Sequence, residues 1–292
     1  MAKIIVRVPA SSANLGPGMD SLGLAFKLYY TVIVEEKTTE WKVNHALGDD
    51  VPTDENNLIV QSILKTNPDI HPHQLTVISD VPIAHGLGSS TTAVVAGIKI
   101  ANSLGDLNLS TDEQIRIGSE IEGHPENVAA AILGNLIVST YDGKDAVASA
   151  IDAGELSALM YIRPDGISEV ESRAKLPKTL NYQDAVLSSS RANMFVTLMS
   201  QGKIHDALPL VEGDKMHEPF RKAIVPELDV IREKAHSMDI YGTYLSGAGP
   251  TVGTLGKKSD LVQLRLELQQ MDLNGSLRIL DVDTEGATVR GE

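Results

Sequence analysis

Between Ser89 and Leu104 the chain reads SSTTAVVAGIKIANSL, and Lys99 is its only charged residue. On a helical projection Val94, Val95, Ile98, Ile100 and Leu104 surround the cylinder, and Gly105 marks its end. A helix that is apolar on nearly every side has no face to give to water. It must lie at the centre of a fold, covered by other elements. The short β-branched run LTVIS (75–79) reads as a strand upstream of it, and the turn GLGSS (86–90) stands at its start.

In that turn Gly86 and Gly88 let backbone N–H groups point inward, and Ser89 and Ser90 sit where the helix begins. Free amides and the helix dipole there favour an anion. The lysine that follows the glycines of the common P-loop is missing, and a glycine turn before a helix is often only structural. Two further Gly-rich stretches accompany it. In VPASSANLGPGMDSLGLAF (8–26), Gly16-Pro17-Gly18 forces a turn with Ser11, Ser12, Asn14 and Asp20 around it. An apolar segment follows directly, so these polar groups need partners. In LSGAGPTVGTL (245–255), small residues permit close approach of another backbone or a ligand, and a hairpin turn fits equally well.

The rest of the chain alternates strands and helices. Strands are expected at 3–8, 28–36, 74–79, 135–140, 156–162 and 277–283, with two more around the Gly-rich turn of 241–255. Ser110 with Glu113 forms a capping box that opens a helix to about Ile121. Pro125 and Gly134 bracket the next helix, and further helices are expected at 182–200, 203–212, 222–237 and 259–271. A composition shift near 150–155 divides the 292 residues into two parts, 1–153 and 154–292.

Composition narrows the function classes. The net charge of −14 argues against general nucleic-acid binding, because phosphate backbones are held by Lys and Arg, yet a local site for an anionic metabolite is compatible with it. The absence of Cys excludes disulfides, thiolate metal sites and Cys nucleophiles, and suits a reducing cytoplasm. The alternation of Ile4, Val6 and Val8 at the N-terminus reads as a strand, not a signal peptide. No apolar run is long enough for a membrane span. With aromatics at 4%, the core must rest on Val, Ile, Leu and Ala.

In their order and spacing the three Gly-rich stretches resemble the motifs of the GHMP kinase superfamily: an N-terminal PxSxNLGPG segment, a central PxxxGLGSS loop and a C-terminal GxGP turn. The segments EIEGHPENVAAAILG (120–134), SRAKLP (172–177) and HEPFR (217–221) are similar to the homoserine kinase branch. The resemblance runs from Val8 to about Leu255. It implies an α+β, two-domain fold, with an N-terminal domain like ribosomal protein S5 domain 2, a ferredoxin-like C-terminal domain and the site in the cleft between them. It further implies transfer of the γ-phosphoryl group of ATP to the side-chain hydroxyl of L-homoserine, with Mg²⁺, in a cytoplasmic homodimer.

The resemblance also assigns residues. Asn57 matches a position near the adenine. Pro82, Ile83, Ala84, His85, Gly86, Leu87, Gly88, Ser89, Ser90, Thr91 and Thr92 match the triphosphate loop. Ser90 and Glu120 match the metal ligands, with Glu122 left open as the alternative carboxylate. Arg173 and Arg221 match the arginines for the substrate carboxylate, a group suited to planar bidentate pairing. Asp20 faces the ammonium group and Gly247 lines the same site. Asn14, His124 and Asn127 match the catalytic polar positions near the hydroxyl. Some relatives carry an Asp base where Ala129 stands here, so direct attack by the substrate hydroxyl is expected, with a His124 base as the alternative. The chain departs from the family pattern at Glu126 (commonly Asp), Ala130 (commonly Pro) and Glu169 (commonly Thr). A kinase for mevalonate, shikimate or a sugar is the nearest rival, and a non-catalytic nucleotide sensor is the rival from another class.

Overall fold

The computed structural model describes residues 3–291. The first half of the chain runs β1 (Ile4–Ala13), β2 (Leu22–Lys37), β3 (Lys42–Asn44), α1 (Leu58–Thr66), β4 (His73–Ser79), α2 (Ser89–Leu104), α3 (Thr111–Glu122), α4 (Glu126–Leu133), β5 (Leu136–Tyr141) and β6 (Ala146–Ile151). The second half runs β7 (Leu156–Ile162), α5 (Glu169–Arg173), α6 (Tyr182–Ser200), α7 (Ile204–Val211), α8 (Glu218–Arg221), α9 (Glu227–His236), β8 (Thr243–Leu245), β9 (Val252–Lys257), α10 (Lys258–Leu268), β10 (Ser276–Asp281) and β11 (Thr288–Gly291).

Seven strands form the first sheet in the order β11-β1-β2-β4-β3, with β5 paired to the start of β2 and β6 beyond it. The alternation read at Ile4, Val6 and Val8 is genuine, and the strand runs on to Ala13. Past a register shift at Pro9/Ala10, the first half of the long β2 continues to pair with it. Helix α2 packs on β1, α1, α3 and α4. Val94, Val95, Ile98 and Ile100 are fully buried, as a helix without a polar face requires. Ser110 caps α3 with the reciprocal Glu113 contact expected from the capping box.

The second sheet runs β10-β7-β9-β8, all antiparallel. β7 is buried along its whole length because both its faces are covered. Leu159 and Tyr161 meet Leu228 and Ile231 of α9 and Leu261 and Leu264 of α10. Ala158 and Met160 face the other way, into the large core with Phe195 and Met199 of α6.

Several features differ from expectation, among them the unexpected short elements α1, β3, β6 and α5. The helix expected over 222–237 is broken. α8 ends at Arg221, a 3-10 turn covers Lys222–Ile224, and α9 starts after Pro226. Proline disfavours helical backbone in the residue before it, and Val225 accordingly adopts φ −136° and ψ 68°. The last strand, β11, returns to pair with β1, Ile4 opposite Gly291, so the sheets do not divide cleanly at 153.

Candidate functional site

The three Gly-rich stretches meet. Ser11 N–H donates to the Leu87 carbonyl at 3.2 Å, and Gly247 N–H donates to the Ala13 carbonyl at 3.1 Å. The Ser246 hydroxyl donates to the Gly86 carbonyl at 2.6 Å, and Ser12 Oγ lies 2.6 Å from Ser246 Oγ and 2.8 Å from the Tyr244 hydroxyl. The polar groups of the first stretch therefore have the partners their burial demands. Two glycines make this approach possible. A Cβ on Gly86 would come within 2.3 Å of the Ser246 carbonyl oxygen, and one on Gly88 within 2.5 Å of Ser11 Oγ. Both have positive φ, at 73° and 68°.

Beside this junction lies a cleft of about 510 Å³. Its walls include Asn14, Asp20, His124, Asn127, Arg173, Arg221 and Gly247, together with Ile83, Ala84, His85, Gly86, Gly88, Ser89, Ser90 and Thr91. Pro82, Leu87 and Thr92 do not line it. Leu87 is fully buried in the core, and the Thr92 hydroxyl donates to the Ser89 carbonyl at 2.7 Å. Asn57 reaches the wall, but its side chain is already engaged. Its Oδ1 caps α1 through Ile59 N–H at 3.0 Å, and its Nδ2 donates to the Pro52 carbonyl at 2.6 Å.

At one end of the cleft stands the start of α2. Gly88 is its N-cap and supplies no side chain, so the first-turn amides lack a capping acceptor and can receive an anion. The carboxylate beside them is Glu122. Its Oε2 accepts from the Thr91 hydroxyl at 2.8 Å and from the Ser90 hydroxyl at 3.2 Å. Burial raises its pKa, against the lowering effect of the Thr91 bond and His124. Glu120, expected as the ligand with Ser90, lies elsewhere. It pairs with Lys65 at 2.8 Å and Arg116 at 3.5 Å on an exposed face, which lowers its pKa. Two residues along an α-helix turn a side chain through about 200°, so only one of the two acids can face the cleft. The oxygen set of Glu122, Ser90 and Thr91 suits Mg²⁺, a hard cation that takes one or two carboxylates and shares its remaining positions with phosphates and water. Among the described residues no group of three or more His, Asp or Glu could hold a metal.

The other end is a row of alternating charges. His124 Nδ1 lies 3.1 Å from Glu126 Oε1, and His124 Nε2 lies 3.4 Å from Glu169 Oε1. The Nδ1 approach is too oblique for a hydrogen bond and acts as an ionic contact. Burial alone would lower the imidazole pKa, but the two carboxylates outweigh it and push it up to about 11. In return, His124 chiefly holds Glu169 down to about 2. Arg173 donates to Glu169 at 3.3 Å and to Asp20 at 3.4 Å. Asn14, at φ 74°, accepts from Asp20 N–H at 3.1 Å and donates to the Gly247 carbonyl at 3.2 Å. Asn127 is oriented by the Ser11 hydroxyl, which donates to its Oδ1 at 2.9 Å.

Arg221 is 2% exposed. One of its nitrogens, Nη1, reaches His217 Nδ1 at 3.2 Å and the Gly247 carbonyl at 3.1 Å, while its buried Nε has no partner among the described residues. Burial, and then the nearby Arg173, lower its pKa to about 10.

Glu169 and Glu126, read in the sequence only as departures from a pattern, are thus part of the site. His217, with no assigned role in the sequence reading, lies directly behind Arg221. Helix α5, which carries Glu169 and Arg173, is tied down on both sides. The Ser172 hydroxyl donates to the Ala248 carbonyl at 2.6 Å, and Ile167 N–H donates to the Ala84 carbonyl at 2.9 Å.

Comparison with known proteins gives consistent matches. Residues 57–135 match the family model for the GHMP kinases N terminal domain, and residues 199–272 match that for GHMP kinases C terminal. A homoserine kinase of Streptococcus suis is 43% identical over 287 residues, covering 98% of this chain and 99% of the relative. One from Bacillus cereus is 41% identical over 292 residues, covering 100% and 98%. A solved structure assigned as a homoserine kinase from Listeria monocytogenes superposes with a TM-score of 0.88 at 38% identity, covering 99% of both chains. The phosphomevalonate kinase of Streptococcus pneumoniae shares the fold, with a TM-score of 0.77 at 16% identity over 97% of this chain and 100% of the other.

Proposed function

We propose, from the premise that the chain belongs to the GHMP kinase family and to its homoserine kinase branch, that this cleft transfers the γ-phosphoryl group of ATP to the side-chain hydroxyl of L-homoserine. One observation carries the reading: a single cleft holds both an uncapped helix N-terminus and a buried arginine with an unpartnered Nε. The first is a receptor for phosphate and the second for a carboxylate, the two anionic groups the reaction must bring together.

In this reading the amides at the start of α2 and the backbone from Ile83 to Gly88 cradle the phosphates. Glu122, Ser90 and Thr91 are the side chains that would hold Mg²⁺, which when bound neutralises phosphate charge and orients the transferring group. Arg221 and Arg173 take the homoserine carboxylate. Asp20, which pairs with Arg173, takes the ammonium group. Asn14 and Asn127, fixed by Gly247 and Ser11, direct the hydroxyl at phosphorus.

Both ring nitrogens of His124 face carboxylates, so it offers no lone pair to the hydroxyl and does not act as the base. Positioning and charge stabilisation carry a phosphoryl transfer of this kind. The hydroxyl attacks directly, and its proton leaves late, to a phosphate oxygen. The cytoplasmic setting and homodimer implied by the sequence resemblance belong to the same reading. Among the described residues no helix is long and apolar enough to cross a membrane.

ADP release by the purified protein, measured with homoserine, mevalonate and shikimate in parallel, tests the assignment. Turnover with homoserine is expected, with KM for homoserine rising sharply in Arg221→Ala. Turnover of mevalonate or shikimate in place of homoserine would refute it, as would ATP binding with no ADP release.

A further inference from the structure

We infer that His217 is a positioning residue for substrate recognition, fixing Arg221 so that the Nε–Nη2 edge of its guanidinium is presented to the cleft. The inference rests on the reading of Arg221 as a carboxylate ligand.

His217 is fully buried, in the turn that precedes α8. Arg221 stands four positions on, at the end of α8, and its side chain meets that of His217 across the turn. Each ring nitrogen has a defined partner. Nε2 lies 3.0 Å from the Gly16 carbonyl oxygen, which can only accept. Nε2 therefore carries the hydrogen. Nδ1 lies 3.2 Å from Arg221 Nη1, which can only donate, so Nδ1 offers its lone pair. A single tautomer satisfies both contacts. The Asp214 carboxylate, buried below, accepts from the backbone N–H groups of Met216, His217 and Glu218 at 2.7 to 2.8 Å and sets the turn from which His217 projects.

The consequence falls on Arg221. Nη1 is committed twice, to His217 and to the Gly247 carbonyl. Neither Nε nor Nη2 has a hydrogen-bond partner among the described residues, and Nε is buried. The Nε–H and Nη2–H bonds run side by side, the fork that takes both oxygens of a carboxylate. Held by Gly247 alone, Nη1 could pivot about that one contact and turn the edge away from the cleft. His217 removes that freedom. Through Gly16 it also ties the arginine to the first Gly-rich loop, which carries Asn14 and Asp20. Gly16 is itself pinned, since a Cβ there would lie 1.8 Å from the Val211 carbonyl oxygen.

The roles of the two nitrogens can be separated. A Gln at 217 extends an amide donor towards Gly16 but offers little at the Nδ1 position. An Asn places its Oδ1 near the Nδ1 position and can still accept from Arg221. Steady-state kinetics of native protein, His217→Gln, His217→Asn and Arg221→Ala should show KM for homoserine about tenfold higher in His217→Gln, with KM for ATP and kcat within about threefold of native. His217→Asn should recover most of that loss. Equal effects on both KM values, no effect of His217→Gln, or a His217→Asn variant as impaired as His217→Gln would overturn the inference. An unchanged homoserine KM in Arg221→Ala would instead show that the carboxylate reading of Arg221 is wrong. A measurement on the native protein needs no folded variant: ¹⁵N chemical shifts of labelled histidine should show His217 protonated at Nε2 and bare at Nδ1, and a proton on Nδ1 would refute the arrangement.

Discussion

Glu120 and Glu122 show what a single residue can and cannot reveal. Both lie in a segment whose family likeness promises a metal ligand, and helical geometry requires that they point apart. Which of them faces the cleft depends on how α3 is rolled against α2, a tertiary fact absent from local sequence. The Thr91 and Ser90 contacts answer it in favour of Glu122. Glu122→Gln should therefore lower kcat/KM for Mg·ATP by at least about tenfold. Glu120→Gln removes only exposed, solvent-screened ion pairs with Lys65 and Arg116 and should leave kinetics within about twofold. Titration of MgCl₂ against rate in both variants checks the contrast. Glu169 offers a pH test. Its pKa is depressed in the folded protein, so its stabilising contribution is complete above the ordinary carboxylate value and is lost as pH falls towards about 2. The urea midpoint difference between native protein and Glu169→Gln should stay level from pH 8 to about 5, then shrink below about 4.5.

Among the elements, α2 was the most legible, because apolar residues on every face leave a helix one kind of environment. The α3 capping box was equally plain, since its chemistry is local. Short or weakly patterned pieces were not: β3 has three residues, α5 has five, and β6 is a half-exposed edge. They exist because neighbours hold them, as Ser172 and Ile167 hold α5. The packing of α2 on α1 makes a sharp prediction at Gly97. Alanine there would ordinarily favour a helix by about 1 kcal/mol. A Cβ at Gly97, however, would lie 2.6 Å from the Ile59 carbonyl oxygen and 2.6 Å from Ser62 Cβ. Overpacking of that kind costs about 1–3 kcal/mol, and the contact is partly with backbone that cannot turn aside. Gly97→Ala should lower the thermal midpoint, against the propensity scale.

For the whole molecule, the sequence order of the three Gly-rich stretches identified the family before any contact was known, but not how the stretches hold one another. The first and second belong to the large sheet, the third to the small one, and Gly86 is one of the points where they meet without room for a side chain. Gly86→Ala would need a positive φ of 73° and a Cβ 2.3 Å from the Ser246 carbonyl oxygen. It should destabilise the protein by more than about 2 kcal/mol and abolish turnover even where it folds. Calorimetry and ADP release together check this. The return of β11 to β1 was likewise invisible, since a four-residue edge strand takes its place from the partner it finds.

The bond from Ser246 to Gly86 also orders events in time. The phosphate loop is synthesised early, the loop that braces it about 160 residues later. A nascent chain that has not yet reached Gly247 lacks the third wall of the cleft, along with the carbonyl that holds Asn14 and Arg221. A chain that ends upstream of this loop therefore lacks one wall of the cleft, and what remains to be made after it, β9 to β11, completes the two sheets that carry that wall.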